Sequence, residues 1–297
     1  MMLDHTTLFQ THRPHLFAIA YRMLGTVMDA EDLVQESYLR WQKLDLLEIE
    51  TPKAFLTTLI TRLCIDFLRS ARVQRESYIG PWLPEPILSE RLPGVDDDVA
   101  RRESVSVAFL FLLEQLKPVE RAAFLLREVF DYDYAEIADI LDKAPANCRQ
   151  IVSRARRQLS GSQPSWRLDR PVPDQAHLTL LEQFVNACAT ADLPALRSLL
   201  QEDVVLWSDG GGKAMAARKP IHGATPVARF LLNLPRFAPA DFAFRLSHVN
   251  GRPALLLYDG QRPISVITFA VLAGKISQFQ NILNPDKLGQ IPALAAL

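Results

Sequence analysis

Cysteine is scarce in this chain: three in 297 residues, Cys64, Cys148 and Cys188, with no Cys-x-x-Cys pair. An odd, scattered set builds neither a disulfide framework nor a zinc module, and fits a reducing cytoplasm. Long apolar runs are missing too. The longest, Val107–Leu113 and a stretch around 264–273, fall short of the roughly 20 residues a membrane-spanning helix needs. The first five residues, Met1 to His5, lack a charged leader followed by an apolar core, so no signal peptide and a cytoplasmic location are expected. No repeat of fixed period is evident. Charge of one sign is also missing. With 33 basic and 34 acidic residues the formal net charge is −1, which on average argues against a nucleic-acid partner. Apolar residues at 48 % and charged residues at 23 % exclude disorder and describe ordinary globular protein.

Divided along the chain, the charge tells a different story. Residues 1–100 carry 10 basic and 15 acidic side chains, residues 101–174 carry 12 and 11, and residues 175–297 carry 11 and 8. The segment from Pro145 to Gly161 holds Arg149, Arg154, Arg156 and Arg157 and no acid. Two proline-bearing stretches act as connectors, because proline blocks helix continuation. Residues 79–98 include Pro81, Pro84, Pro86 and Pro93, and residues 161–174 include Pro164, Pro171 and Pro173. They divide the chain into blocks at 1–78, 99–160 and 175–297.

The first block reads as helices. A helix capped by Asp29 and running to about Lys43 buries Ala30, Leu33, Val34, Ser37 and Trp41, and presents Asp32, Gln35, Glu36 and Leu39 on its other side. An apolar residue inside a polar face marks a docking surface, or is one of the single exposed leucines any protein carries. A second helix starts at Pro52 with Thr51 as its cap. Its apolar stripe is Phe55, Leu56, Leu59, Ile60, Leu63, Phe67 and Ala71. Opposite lie Thr58, Thr61, Arg62, Ile65, Arg69 and Arg72. Hydroxyls and arginines along one face suit phosphate contacts, and equally suit an amphipathic helix with snorkelling arginines.

The second block holds two short helices joined by a tight turn, from Tyr134 to Leu159. Ile137, Leu141, Cys148 and Ile151 have the spacing of a shared core, and Pro145 opens the second helix. Cys148, Ile151, Val152, Ala155 and Leu159 bury one face. Ala146, Asn147, Arg149, Gln150, Ser153, Arg154 and Arg157 lie opposite or flank it. This is the layout of a helix-turn-helix, whose second helix reads base edges near its start and reaches phosphates with later arginines. Asp142 stands where the turn favours glycine, and Asp tolerates left-handed geometry better than most residues. The third block begins with helical patterning and ends in four β-rich runs separated by Asn250-Gly251, Asp259-Gly260 and Ala273-Gly274. Helices followed by such a meander make an α+β domain, helices on one face of a curved sheet.

Three features then coincide in order: the acidic helix Asp29 to Glu36, the helix ending Cys64-Ile-Asp-Phe-Leu-Arg69, and the block from Leu116-Lys-Pro-Val-Glu-Arg121 to Arg154-Ala-Arg-Arg157. Together they resemble bacterial extracytoplasmic-function (ECF) sigma factors over about residues 1–160. Trp82-Leu83-Pro84-Glu85-Pro86, Asp209-Gly210-Gly211-Gly212-Lys213 and Asn284-Pro285-Asp286-Lys287-Leu288 are similar to motifs of the ECF subgroup with a fused SnoaL-like C-terminal domain. The resemblance implies a multidomain protein: an all-α region 2 bundle, an all-α region 4 helix-turn-helix, and a cone-shaped α+β domain of the SnoaL-like, NTF2-like kind.

The same resemblance implies roles. Asp32, Gln35, Glu36 and Leu39 would dock on the β′ clamp helices of core RNA polymerase, with the β flap as a second contact. Thr58, Thr61, Arg62, Arg69 and Arg72 would engage the −10 element, and the loop 44–51 would take a flipped base. Ala146, Asn147, Arg149, Gln150, Ser153, Arg154 and Arg157 would read the −35 element of promoter DNA. The three C-terminal-subgroup motifs would make regulatory contacts, so that no separate anti-sigma factor is required. A small-molecule ligand of the C-terminal pocket is a further candidate partner; no membrane, cofactor, metal or catalytic residue is expected. Two other readings compete: a one-component DNA-binding regulator with a ligand-sensing NTF2-like domain, and an enzyme using His222, His248, Asp209 or Asp259, of which no pair is singled out by spacing. The glycine triplet before Lys213 lacks the Walker spacing and the Lys-Ser/Thr pair, so a phosphate loop is not expected. A bulged loop after the strand 203–207 is its bland reading.

Overall fold

The computed structural model describes residues 4–46, 49–76, 78–92, 105–162 and 173–294. The chain forms two compact units. The first takes in the described residues 4–76, Leu92 and 110–162, and the second 78–91, 105–109 and 173–294.

The first unit is helical. Helix α1 (His5–Leu24) is capped by Asp4, which accepts from the Thr7 amide at 2.6 Å, and stops at Gly25 in the left-handed region. Helix α2 (Val27–Trp41) has Thr26, not the expected Asp29, at its N-cap and so starts three residues earlier than expected. The Thr26 hydroxyl donates to the Asp29 carboxylate, so Asp29 closes the first turn from inside. Its buried side is Ala30, Val34, Ser37 and Trp41, and Leu33 is half-buried. Helix α3 (Pro52–Glu76) starts at the proline, as the pattern predicts. Helix α4 (Val107–Leu113) is followed by α5 (Pro118–Glu128), α6 (Tyr134–Leu141) and α7 (Pro145–Ser162). The last two form the expected helix-turn-helix. Asp133 caps α6 by accepting from the Ala135 and Glu136 amides, both at 2.8 Å. Asp142 ends it at φ 53°, ψ 58°, the left-handed geometry that lets the chain reverse within a few residues. Ile137, Ala138, Ile140, Cys148, Val152, Ala155 and Leu159 form the core of this hairpin.

The stripe expected on α3 is rotated in the structure. Leu56, Thr57, Ile60, Thr61, Cys64, Ile65 and Leu68 are buried, whereas Phe55 is 37 % exposed. The helix has neighbours on more than one side: α1 and α2, and also α5 and α6. An apolar period locates one buried face, and packing against a second block covers part of the other.

The second unit is an α+β domain. Helices α8 (Asp174–Ala189), α9 (Leu193–Ser198) and α10 (Ala224–Asn233) pack on a six-stranded sheet. The strands are β1 (Leu200–Asp209), β2 (Ile221–His222), β3 (Phe242–Val249), β4 (Arg252–Asp259), β5 (Arg262–Leu272) and β6 (Lys275–Ile282), in the order β2-β1-β6-β5-β4-β3. Only β1 and β6 run parallel; the other neighbours are antiparallel. The predicted turns Asn250-Gly251, Asp259-Gly260 and Ala273-Gly274 join β3 to β4, β4 to β5 and β5 to β6, and all but Asp259 have positive φ. Alternation along the strands sends Leu206, Leu255, Ile267, Phe269 and Phe279 toward Leu181, Phe184, Val227 and Leu231 of the helices.

Candidate functional site

Helix α7, the second helix of the helix-turn-helix, leaves one side open. Ala146, Asn147, Arg149, Gln150, Ser153, Arg154 and Arg157 are all exposed. Arg149, Gln150, Ser153, Arg154 and Arg157 line one shallow groove. Helix geometry explains this, because residues three and four apart share a face. Arg156, the remaining arginine of the cluster, points elsewhere and pairs with Glu128 at 2.6 Å. The groove therefore offers guanidinium, amide and hydroxyl donors and no carboxylate, a surface suited to base edges and phosphates.

On α2 the expected docking set is also at the surface. Asp32 and Gln35 are exposed, and Leu39 is 46 % exposed. Glu36 is half-exposed and accepts from Arg40 at 2.8 Å. A nearby methionine, Met28, is 74 % exposed and adds apolar surface that the sequence reading passed over.

The set expected to face the −10 element is not a uniform surface. Thr58 donates to the Ala54 carbonyl at 3.0 Å, and Arg69 sits on Asp66 at 3.1 Å. Thr61 is fully buried, with its hydroxyl unpartnered among the described residues, so it does not lie on an open face. Arg62 donates to the Ile140 carbonyl at 3.0 Å and to the Asp139 carbonyl at 3.2 Å. Those are orphan carbonyls at the end of α6, which a cation satisfies well. The side chain of Arg72, and residues 47 and 48 of the expected base-capturing loop, lie outside the described residues. Three further contacts join the blocks of this unit. The Tyr132 hydroxyl lies 3.0 Å from His15 Nε2 and 3.2 Å from the Thr57 hydroxyl. Arg121 donates to the Met23 carbonyl at 2.6 Å. Burial, reinforced by nearby Lys53, His12 and Arg22, lowers the His15 pKa to about 4, so it is neutral here.

The three C-terminal-subgroup motifs converge inside the second unit. Asp209, at the end of β1, has no exposed surface. Its carboxylate accepts from the Tyr78 hydroxyl at 2.6 Å, the Leu83 amide at 2.8 Å, the Gly211 amide at 3.1 Å and Lys287 Nζ at 2.6 Å. Lys287 also donates to the Leu83 carbonyl at 2.5 Å and stands over the Trp82 ring at 4.2 Å and the Tyr78 ring at 5.0 Å. Burial, with the bond to Asp209 second, raises the Tyr78 pKa, which keeps the phenol protonated and donating. Asn284 donates to the Tyr78 oxygen at 2.8 Å and caps its own turn by accepting from the Asp286 amide at 3.1 Å. Lys213 pairs with Asp286 at the surface, at 2.6 Å. Leu83, Pro84, Glu85 and Pro86 are buried and Trp82 half-buried; Pro285 is half-buried and Leu288 buried.

The glycines have a steric reason. Gly211 has φ 58°, and a Cβ there would stand 2.3 Å from Asn284 Nδ2; a Cβ on Gly210 would stand 2.4 Å from the Ala214 carbonyl oxygen. Gly211 thus lets Asn284 approach closely, and Gly210 lets its own loop turn back tightly onto Ala214. Two participants escaped the sequence reading. Tyr78 fell at the edge of the first block. Asn250 is a turn residue by its sequence, yet it accepts from the Ile87 amide at 3.0 Å and donates to the Val105 carbonyl at 2.8 Å.

The other named groups are placed differently. His222, His248 and Asp259 are exposed, and no cluster of metal-ligating side chains occurs among the described residues. All three cysteines are free thiols; burial raises each of their pKa values, that of Cys188 to about 11. No helix among the described residues is long and apolar enough to cross a membrane.

The helix-turn-helix and the three-helix block before it coincide with the two conserved regions of sigma-type transcription factors. Sigma-70 region 2 matches residues 8–73 and sigma-70 region 4 matches residues 106–159. The chain belongs to the ECF RNA polymerase sigma factors. It is 39 % identical to the ECF RNA polymerase sigma factor SigJ of Mycobacterium tuberculosis, over 96 % of this chain and 93 % of that one. It is 30 % identical to the probable ECF sigma factor SigI of the same species, over 96 % and 95 %. The crystal structure of Mycobacterium tuberculosis SigJ matches 97 % of this chain and 100 % of its own, with a TM-score of 0.76 and 33 % identity. The protein is thus a promoter-specific sigma factor with a C-terminal α+β domain, and core RNA polymerase and promoter DNA are its partners.

Proposed function

We propose that this sigma factor docks on the β′ clamp helices through Asp32, Gln35, Glu36 and Leu39, with the β flap as the second contact. It reads the −35 element through α7 and the −10 element through the face of α3 that carries Thr58, Arg62, Arg69 and Arg72. Its C-terminal domain modulates activity in cis, without a separate anti-sigma factor. The observation that carries the regulatory part is the convergence of Trp82–Pro86, Asp209–Lys213 and Asn284–Leu288 on one buried ion pair. The linker between the two DNA-reading regions is thereby held by the C-terminal domain.

Geometry adds a requirement. The −35 and −10 elements are centred about 25 base pairs apart, roughly 85 Å of B-DNA at 3.4 Å per step. Helix α7 has 18 residues, roughly 27 Å of length, and begins just after the carbonyls that hold Arg62. A unit packed this way cannot reach both elements together, so the contacts of Arg62 and Tyr132 must open when holoenzyme forms on a promoter. Each region then needs only a modest patch, since tethering through polymerase supplies the rest of the affinity.

Run-off transcription with core polymerase tests this reading. Full-length protein is expected to start at a −35/−10 promoter, and Leu39→Glu to lose holoenzyme formation at least tenfold without unfolding. Promoter-specific initiation by Leu39→Glu at the full-length level removes α2 from the docking role.

A further inference from the structure

We propose that Tyr134 is a positioning residue for base readout, acting through Arg149; this rests on the reading of α7 as the −35 helix. Tyr134 is the first residue of α6, and its backbone is fixed by the Asp133 cap. Its ring is half-buried. The Arg149 guanidinium carbon lies 5.4 Å from the ring centre, and that of Arg127 lies 5.2 Å from it. Arg127 is itself tethered, donating to the Tyr132 carbonyl at 2.9 Å. The ring is therefore held by its own helix start and by an anchored cation, and it presents a surface to the first turns of the recognition helix.

The kind of contact matters. Arg13, Arg40, Arg69 and Arg156 of the same unit each rest on a carboxylate. A carboxylate takes up N–H donors that a base edge would need. An aromatic face steadies a guanidinium through its quadrupole and leaves the donor fork free. Arg149 also stands in the groove with Gln150, Ser153, Arg154 and Arg157, and no ring contact to Arg154 or Arg157 is found among the described residues. Readout of guanine by a bidentate arginine depends on the plane of the fork, and a pre-oriented side chain loses less freedom on binding. Arg149 is thus the arginine of the groove built for direction, whereas Arg157, near the later turns, makes only a long 3.5 Å bond to the Ser153 carbonyl of its own helix and suits phosphates.

The test uses holoenzyme made from full-length protein and a promoter library randomised across the −35 element, read by sequencing the run-off products. Arg149→Ala is expected to lower the preference at one base position about tenfold or more. Tyr134→Leu is expected to lower preference at that same position about two- to five-fold, with no further loss when the two changes are combined. Tyr134→Phe keeps the preference. Fluorinated phenylalanines at position 134 hold the ring's shape while weakening its face, so preference should fall stepwise with fluorination even if Tyr134→Leu folds poorly. If Arg149→Ala shifts one position while Tyr134→Leu and the fluorinated series leave that position unchanged, or weaken all promoters evenly, the positioning role is overturned. If Arg149→Ala shifts no position, the assignment of Arg149 to base readout fails first, and the role of Tyr134 with it.

Discussion

Asp209 accepts four hydrogen bonds without any exposed surface, and two of its donors, Tyr78 and Leu83, come from more than a hundred residues earlier in the chain. A buried carboxylate is costly to hold charged unless it is paired and fully hydrogen-bonded. Here Lys287 supplies the opposite charge, and the Trp82 and Tyr78 rings cover the ammonium. Asp209→Asn removes one charge and leaves Lys287 buried without its partner. The expected cost is about 3 kcal/mol for the second unit, seen as a lower urea midpoint at unchanged slope in a denaturation monitored by tryptophan fluorescence. At this scale the sequence was partly legible. The family resemblance singles out Asp209, Lys287 and Asn284, because each lies in one of its short motifs. Their mutual contact was not legible, since no spacing rule joins residues 78, 209 and 287. His177 shows the same limit. It stacks on Phe269 with ring centres 4.6 Å apart, and burial, with Arg252 second, lowers its pKa to about 4. A single histidine in a helical pattern gave no sign of this.

Among the elements, the boundaries set by strong local chemistry came out as read: Pro52 and Pro145 open α3 and α7, and Asp142 takes the left-handed turn. Faces were legible where burial is confined to one side of the helix, as on α2 and α7. On α3 the reading failed at Thr61 and Ile65, which are buried beside Cys64 and Leu68. The block packed against α3 from the far side, α5 and α6, lies some 50 to 80 residues later in the chain, and periodicity carries no record of it. Tyr132, in the loop between α5 and α6, ties His15 of α1 to Thr57 of α3. Tyr132→Phe deletes both bonds and leaves His15 Nε2 without that partner. A half-buried neutral hydrogen bond contributes about 1 kcal/mol. The thermal midpoint of the first unit is expected to fall by a few degrees, and an unchanged midpoint means that these bonds do not hold the helices together.

For the whole molecule, the net charge of −1 is a cancellation: an acidic first block offsets an arginine cluster and a mildly basic C-terminal block. Truncation is predicted to act in two directions. Deleting residues 284–297 removes Asn284 and Lys287, so Asp209 loses its ion pair and the linker loses the Lys287 bond to Leu83. Run-off transcription is expected to rise several-fold as the linker is freed. Deleting 175–297 removes the support as well as the restraint, and transcription is expected to fall below the full-length level. Equal activity of all three chains would show that the C-terminal domain does not regulate in cis. The sequence by itself determined the helix-turn-helix, the acidic helix α2 and the α+β character of the last block. These depend on contacts within one element or one turn, where periodicity, capping and glycine chemistry act over a few residues. Only the tertiary structure decided that the linker is bound at Asp209 and Lys287, that Thr61 is buried, and that Arg62 rests on the carbonyls of α6. Those outcomes join residues 77 to 204 positions apart, and desolvation and charge pairing across such separations exist only once the chain has folded.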